Sequence, residues 1–179
     1  MSVTQVSRSS QKTITVIQGD YAVSTDPNVI MSTVLGSCIA VCLFDPFAHI
    51  GGMNHFLLAQ AADAQNSDLK YGVNAMELLI NRVVSAGGDR ASLQAKLFGG
   101  ARMTEHARDI GRNNADFALD FLMRESIPCV AQSLGGDKAR RIQFTPTTGA
   151  ARQLQISGTQ PLLTAIKRPG PATENITLF

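Results

Sequence analysis

Apolar residues along this chain gather in short runs separated by turn residues. Val29 to Leu35 (VIMSTVL), Ile39 to Phe44 (IAVCLF) and Ile50 to Leu58 (IGGMNHFLL) follow one another closely. Gly36-Ser37-Cys38 separates the first pair, and a turn through Asp45-Pro46 separates the second. Runs this short, rich in β-branched and aromatic residues, predict strands. In the third, alternation sets Met53, His55 and Leu57 on one face and Asn54, Phe56 and Leu58 on the other. Upstream, Thr13 to Gln18 and Tyr21 to Ser24 predict two short strands broken by Gly19-Asp20.

The period then changes. From Lys70 to Ala86, Tyr71, Ala75, Leu78, Leu79 and Val83 recur at three and four, an amphipathic helix stopped by Gly87-Gly88. Leu93 to Phe98 alternates as a strand and runs into Gly99-Gly100. A second helix is predicted from Asn113 to Ser126, with Ala115, Ala118, Leu119 and Leu122 on one stripe and Pro128 beyond it. Three further strands follow at Pro128–Leu134, Arg141–Thr145 and Arg152–Ile156. Residues 1–12 read as a flexible tail, 13–157 as a single domain, and 158–179, with Pro161, Pro169 and Pro171, as an arm or tail. Strands outnumber helices and do not alternate with them, so the expected class is α+β: a layered α/β sandwich of mixed or antiparallel strands with two main helices.

Composition narrows the function. Sixteen Lys and Arg against fourteen Asp and Glu give a net charge of +2, and the absence of Trp with only two Tyr leaves no stacking platform. Nucleic acid is not an expected partner. No apolar run approaches the ~20 residues of a bilayer span, so membrane insertion is not expected. The opening MSVTQVSRSSQK lacks the apolar middle of a secretory leader. Three cysteines form no disulfide framework; the expected location is cytoplasmic, where thiols stay free.

Those thiols invite chemistry. Cys38 follows a Gly-Ser turn that exposes a side chain and frees backbone N–H groups to face an oxyanion. His55 lies on a returning strand, and adjacent strands are only about 4.8 Å apart. An imidazole beside a thiol lowers its pKa by ion pairing and then serves as general acid. A third polar group would orient the ring, and Ser32 and Thr33 offer hydroxyls. The plainer reading is a cysteine packed in an apolar strand. Packing is also the reading for Cys42 and Cys129. A zinc site from Cys38, Cys42, His49 and His55 matches no common ligand spacing, and His49 and His106 read as solvated. Gly135-Gly136, Asp137 and Arg140-Arg141 read as a solvated turn, with an acidic partner for the arginines as the other possibility. No glycine pair has phosphate-loop or dinucleotide spacing.

The motifs are more specific than the spacing. LGSCIAVCLFDP followed by GGMNHFLL, then KYG from Lys70, KLFGGARM from Lys96 and LGGDKARRIQF from Leu134 closely resemble the chemoreceptor glutamine deamidases, the CheD family of bacterial chemotaxis. The resemblance runs over roughly residues 13–157. It implies a fold similar to toxin-type and papain-like cysteine amidohydrolases, and hydrolysis of receptor glutamine side chains to glutamate with loss of ammonia. The family's nucleophile falls on Cys38, its histidine on His55 and its hydroxyl residue on Ser32, a serine where the family commonly has threonine. No metal or cofactor is implied. The implied partners are the cytoplasmic domains of methyl-accepting chemoreceptors and a CheC-type phosphatase. A transglutaminase or peptidase would use the same dyad, and a non-catalytic adaptor would keep Cys38 as packing.

Overall fold

The computed structural model describes residues 10–58, 65–104, 108–156 and 176–179. The elements in chain order are β1 (Lys12–Thr15), β2 (Tyr21–Ser24), β3 (Val29–Leu35), β4 (Ile39–Asp45), β5 (Ile50–Phe56), α1 (Gln65–Ser85), β6 (Gln94–Gly99), α2 (Arg108–Arg124), β7 (Cys129–Leu134), β8 (Ala139–Thr145), β9 (Ala150–Ile156) and β10 (Ile176–Leu178). They form two five-stranded sheets, ordered β1-β3-β8-β9-β10 and β2-β5-β4-β6-β7. Both are mixed, because β1–β3 and β6–β7 pair parallel and the remaining neighbours antiparallel. The expected α+β sandwich is present, with the two helices on one side of it.

The layers follow from which faces are apolar. Met31 and Leu35 of β3, with Ile142 and Phe144 of β8, meet Ala40, Cys42, Phe44, Met53 and Phe98 of the second sheet. The opposite face of that second sheet presents Ile39, Val41, Leu43 and Phe56 to Met76, Leu79, Ile80 and Val83 of α1 and to Ala118 and Leu122 of α2. Strand β4 is therefore covered on both faces, and all seven of its residues are buried. Its unbroken apolar run is what such a position requires. Each large aliphatic or aromatic side chain so buried contributes about 1.5–3 kcal/mol. The first sheet has an open outer face, and β8 alternates accordingly, with Arg141 and Gln143 exposed between buried neighbours.

Several boundaries differ from the pattern-based reading. Helix α1 begins at Gln65 rather than Lys70, adding a polar first turn in which Asp68 complements the helix dipole. Its buried stripe is Met76, Leu79, Ile80 and Val83, while Tyr71 and Leu78 remain 40% and 39% exposed. Helix α2 begins at Arg108, well before Asn113. The pattern stopped short because Gly111 is a poor helix former. In the fold Gly111 lies against Gly100, whose carbonyl would overlap any Cβ there. At the C-terminal end, Ile176–Leu178 adds a strand beside β9, and Phe179 packs its ring edge-on to Phe98 at 5.4 Å. Most of the 1–12 tail, and the arm from 158 to 175, lie outside the described residues, as does His106.

Candidate active site

The chain leaves one sheet at Leu35 and enters the other at Ile39, so Gly36-Ser37-Cys38 is where it crosses the sandwich. The carbonyls of this crossing are all held from the α2 side. Gly36 O accepts from Ala101 N–H at 2.8 Å, and Cys38 O accepts from Gly100 N–H at 2.8 Å. Ser37 O accepts from the Asn114 side-chain amide at 3.3 Å. Asn114 is fully buried; its Oδ1 also accepts from Leu58 N–H at 2.7 Å, tying the crossing to the end of β5. Gly99 (φ 118°) must be glycine, because a Cβ there would overlap the Cys38 carbonyl. With the carbonyls turned away, the N–H groups of Ser37 and Cys38 have no carbonyl partner among the described residues.

Register sets the histidine on the strand next to this crossing. Ala40 pairs with His55, so Cys38, two residues earlier, lies on the diagonal to His55. Its thiol is half-buried and packs against the inter-sheet cluster that contains Ala40 and Met53. The His55 backbone is bonded on its outer edge, accepting from Gly19 N–H at 2.8 Å and donating to Asp20 O at 3.1 Å.

The ring meets the other sheet. His55 Nδ1 is 2.9 Å from Thr33 Oγ1 and 3.4 Å from Val16 O. The Thr33 hydroxyl donates its single proton to Val16 O at 2.7 Å. Both neighbours of Nδ1 therefore act as acceptors towards it, which places the ring proton on Nδ1. Nε2 is left with a bare lone pair, buried and without a partner. Burial holds the imidazole below its ordinary pKa, opposed by the Val16 carbonyl. Burial likewise pushes the Cys38 thiol up, opposed by its own backbone N–H. Both effects favour neutral groups in the resting site rather than the ion pair expected from the sequence.

The hydroxyl beside His55 is Thr33, where the resemblance implies Ser32. Strand β3 buries Val29, Met31, Thr33 and Leu35 between the sheets and turns Ile30, Ser32 and Val34 to the other face. Ser32 contributes its backbone carbonyl, which accepts from Val16 N–H at 2.9 Å. A one-residue step along a strand reverses the face, so these adjacent hydroxyls cannot exchange places. We expect Thr33→Val to lower turnover about 10- to 100-fold, the scale of one buried hydrogen bond, and Ser32→Ala to leave it nearly unchanged. Initial rates of the two variants on one substrate check this, and the reverse order would return the role to Ser32.

Other residues fall elsewhere. Cys42 is fully buried in the inter-sheet layer, where burial drives its thiol upwards. The Cys129 thiol contacts Ala131 O at 3.3 Å. His49 sits in the β4–β5 turn with Nδ1 3.3 Å from Thr147 O. Among the described residues no cluster of His, Cys, Asp or Glu could hold a metal ion. Arg140 is buried, its guanidinium donating to the Ser133 and Gly135 carbonyls, so it braces the 133–135 turn. Two residues at the site escaped the pattern-based reading. Asn114 looked like a polar helix position, and Gln18, whose Oε1 accepts from the Cys38 thiol at 3.4 Å, ended a predicted strand.

Comparison with known proteins bears on this site. Residues 57–154 match the family model described as CheD chemotactic sensory transduction. The chain belongs to the CheD family. That match begins just after His55, but relatives align over nearly the whole chain. One is named "Probable chemoreceptor glutamine deamidase CheD 1", from Ruegeria sp. (strain TM1040), 48% identical over 93% of this chain and 95% of its own. Another, the "Probable chemoreceptor glutamine deamidase CheD" of Agrobacterium fabrum, is 46% identical over 92% of this chain and 93% of its own. A CheD relative from Acidiphilium cryptum is 50% identical over 84% and 81%. Among solved structures, Bacillus licheniformis hypothetical protein YfiH aligns over 69% of this chain and 60% of its own, at TM-score 0.44 and 15% identity, too distant to bear on function.

Proposed function

We propose that this chain hydrolyses glutamine side chains on the cytoplasmic domains of chemoreceptors to glutamate, releasing ammonia, with Cys38 as nucleophile, His55 as acid–base and Thr33 as the residue that orients His55. The observation that carries the mechanism is the relay from His55 Nδ1 through Thr33 to Val16 O, which leaves Nε2 as a base without a partner. As Cys38 attacks the carboxamide carbon, its proton passes to Nε2. The carbonyl electron pair moves onto oxygen, where the N–H groups of Ser37 and Cys38 receive it. The adduct then collapses. The C–N bond breaks, His55 returns the proton to the leaving nitrogen, ammonia departs and a thioester remains. Water deprotonated by His55 attacks the thioester, the C–S bond breaks, and His55 returns the proton to Cys38 as glutamate is released. Each turnover adds one negative charge to the receptor and creates a carboxylate that a methyltransferase can esterify.

This function places the protein at the cytoplasmic face of the receptors. Among the described residues no helix is long and apolar enough to cross a membrane. The family resemblance adds a CheC-type phosphatase as a second partner. A receptor cytoplasmic fragment incubated with the protein should gain about one dalton per modified site, with ammonia released in equal amount. A fragment of unchanged mass would overturn the proposal.

The neutral resting pair has a pH signature. His55 must be unprotonated to accept the thiol proton, so kcat/KM should rise through a pKa below the ~6.5 of a free imidazole. Because the Cys38 thiol is raised, alkylation by iodoacetamide should be slow near neutrality and speed up only above about pH 8.5. Alkylation as fast at about pH 6 as at about pH 9 would reveal a resident thiolate and contradict the neutral pair.

A further inference from the structure

Gln18 has no part in the chemistry above, yet its side chain contacts the nucleophile. The chain on either side of it is fixed to the strands that carry the site. Val16 N–H donates to Ser32 O at 2.9 Å, and Val16 O takes the Thr33 hydroxyl at 2.7 Å. Gly19 N–H donates to His55 O at 2.8 Å, and Asp20 O accepts from His55 N–H at 3.1 Å. From this clamped turn the exposed Gln18 side chain reaches the thiol, Oε1 lying 3.4 Å from Cys38 Sγ.

The geometry points to Gln18 as a further catalytic residue whose side-chain amide N–H donates to the oxyanion formed when Cys38 attacks a carboxamide. This rests on the thioester chemistry proposed above. In the adduct the negative oxygen is two bonds from Sγ, so an exposed side chain that reaches the thiol can swing to reach that oxygen as well. A carboxamide carries an acceptor and a two-proton donor on one planar end. The resting thiol offers a proton and finds the acceptor. After attack the sulfur has lost its proton and the new charge needs a donor, which a half-turn about the last torsion of Gln18 supplies. Being exposed, the side chain is free to turn. Gln18 then adds a third donor to the Ser37 and Cys38 N–H groups and is not consumed. On collapse the electron pair returns from oxygen to carbon as the C–N bond breaks.

Three readouts test this in Gln18→Ala: kcat and KM on the receptor fragment, acylation of Cys38 by p-nitrophenyl acetate, and alkylation of Cys38 by iodoacetamide. Acylation builds an oxyanion whatever the natural substrate, whereas alkylation builds none. The expected result is a fall in kcat of about 10²-fold with KM little changed, a clear fall in acylation and an unchanged alkylation rate. Gln18→Glu, which sets a carboxylate against the oxyanion, should lose at least as much. Acylation within about threefold of wild type would overturn the inference. So would alkylation that changes in step with acylation, since Gln18 would then act on the thiol itself, and so would a gain in kcat, which would mark it as a plug. Acylation is read independently of the receptor. A wild-type protein that acylates normally but leaves receptor glutamines intact overturns the deamidase reading and not this one.

Discussion

Cys38→Ala should lower receptor deamidation by about 10⁴-fold or more, because no other group can form the thioester. The loss should come without unfolding. The Cys38 side chain is half-buried at the rim of the sandwich, and the crossing it sits in is held through backbone carbonyls and Asn114, which the substitution leaves in place. The midpoint of thermal unfolding should therefore move little while turnover disappears. Cys42 supplies the contrast. Its side chain is fully buried between the sheets, so Cys42→Ala should lower stability and leave the chemistry intact. Rates and unfolding curves of the two variants, read together, separate a nucleophile from a packing residue.

His55→Gln should cost about 10²- to 10⁴-fold in kcat, the range for loss of a positioned acid–base. Glutamine approximates the shape of the ring and retains a donor for Thr33, so the site should keep its form. It cannot carry a proton between sulfur and the leaving nitrogen. The pH profile is the sharper readout, since the acid limb assigned to His55 should vanish with it. A variant that keeps that limb would move the base to another group. The Thr33 hydroxyl and the Val16 carbonyl, which meet the ring from the neighbouring segments, do not titrate in this range, and the Cys38 thiol on the diagonal is pushed up by burial.

Strands β4 and β5, the first following Cys38 and the second carrying His55, were legible because physics constrained them twice. Strand β4 is buried on both faces and needs an unbroken apolar run, and β5 had to return beside it through the Asp45-Pro46 turn. There the Asp45 carboxylate accepts the N–H groups of Phe47 and Ala48 at 2.8 and 3.0 Å. The face of β3 was not legible. It carries apolar residues on both sides, Ile30 and Val34 as well as Met31 and Leu35, so its pattern does not say whether Ser32 or Thr33 points inwards. Only packing against the second sheet decides that. Gln18 and Asn114 were hidden for a related reason. Their work is done by contacts with residues distant in the chain, Cys38 in one case, Ser37 and Leu58 in the other. Gly111 shows propensity yielding to tertiary need, because close contact with the Gly100-Ala101 backbone outweighs its weakness as a helix former.

The central claim is a thioester between Cys38 and a receptor glutamine, and hydroxylamine tests it most directly. Added to the reaction, it competes with water for the acyl-enzyme, whether or not that species accumulates. Peptide mapping of the receptor fragment should then find glutamyl hydroxamate, heavier than glutamine by one oxygen atom, at the sites that otherwise become glutamate. With Cys38→Ala, neither product should form. Glutamate appearing at an undiminished rate in Cys38→Ala, or hydroxamate never appearing with wild type, would contradict the account.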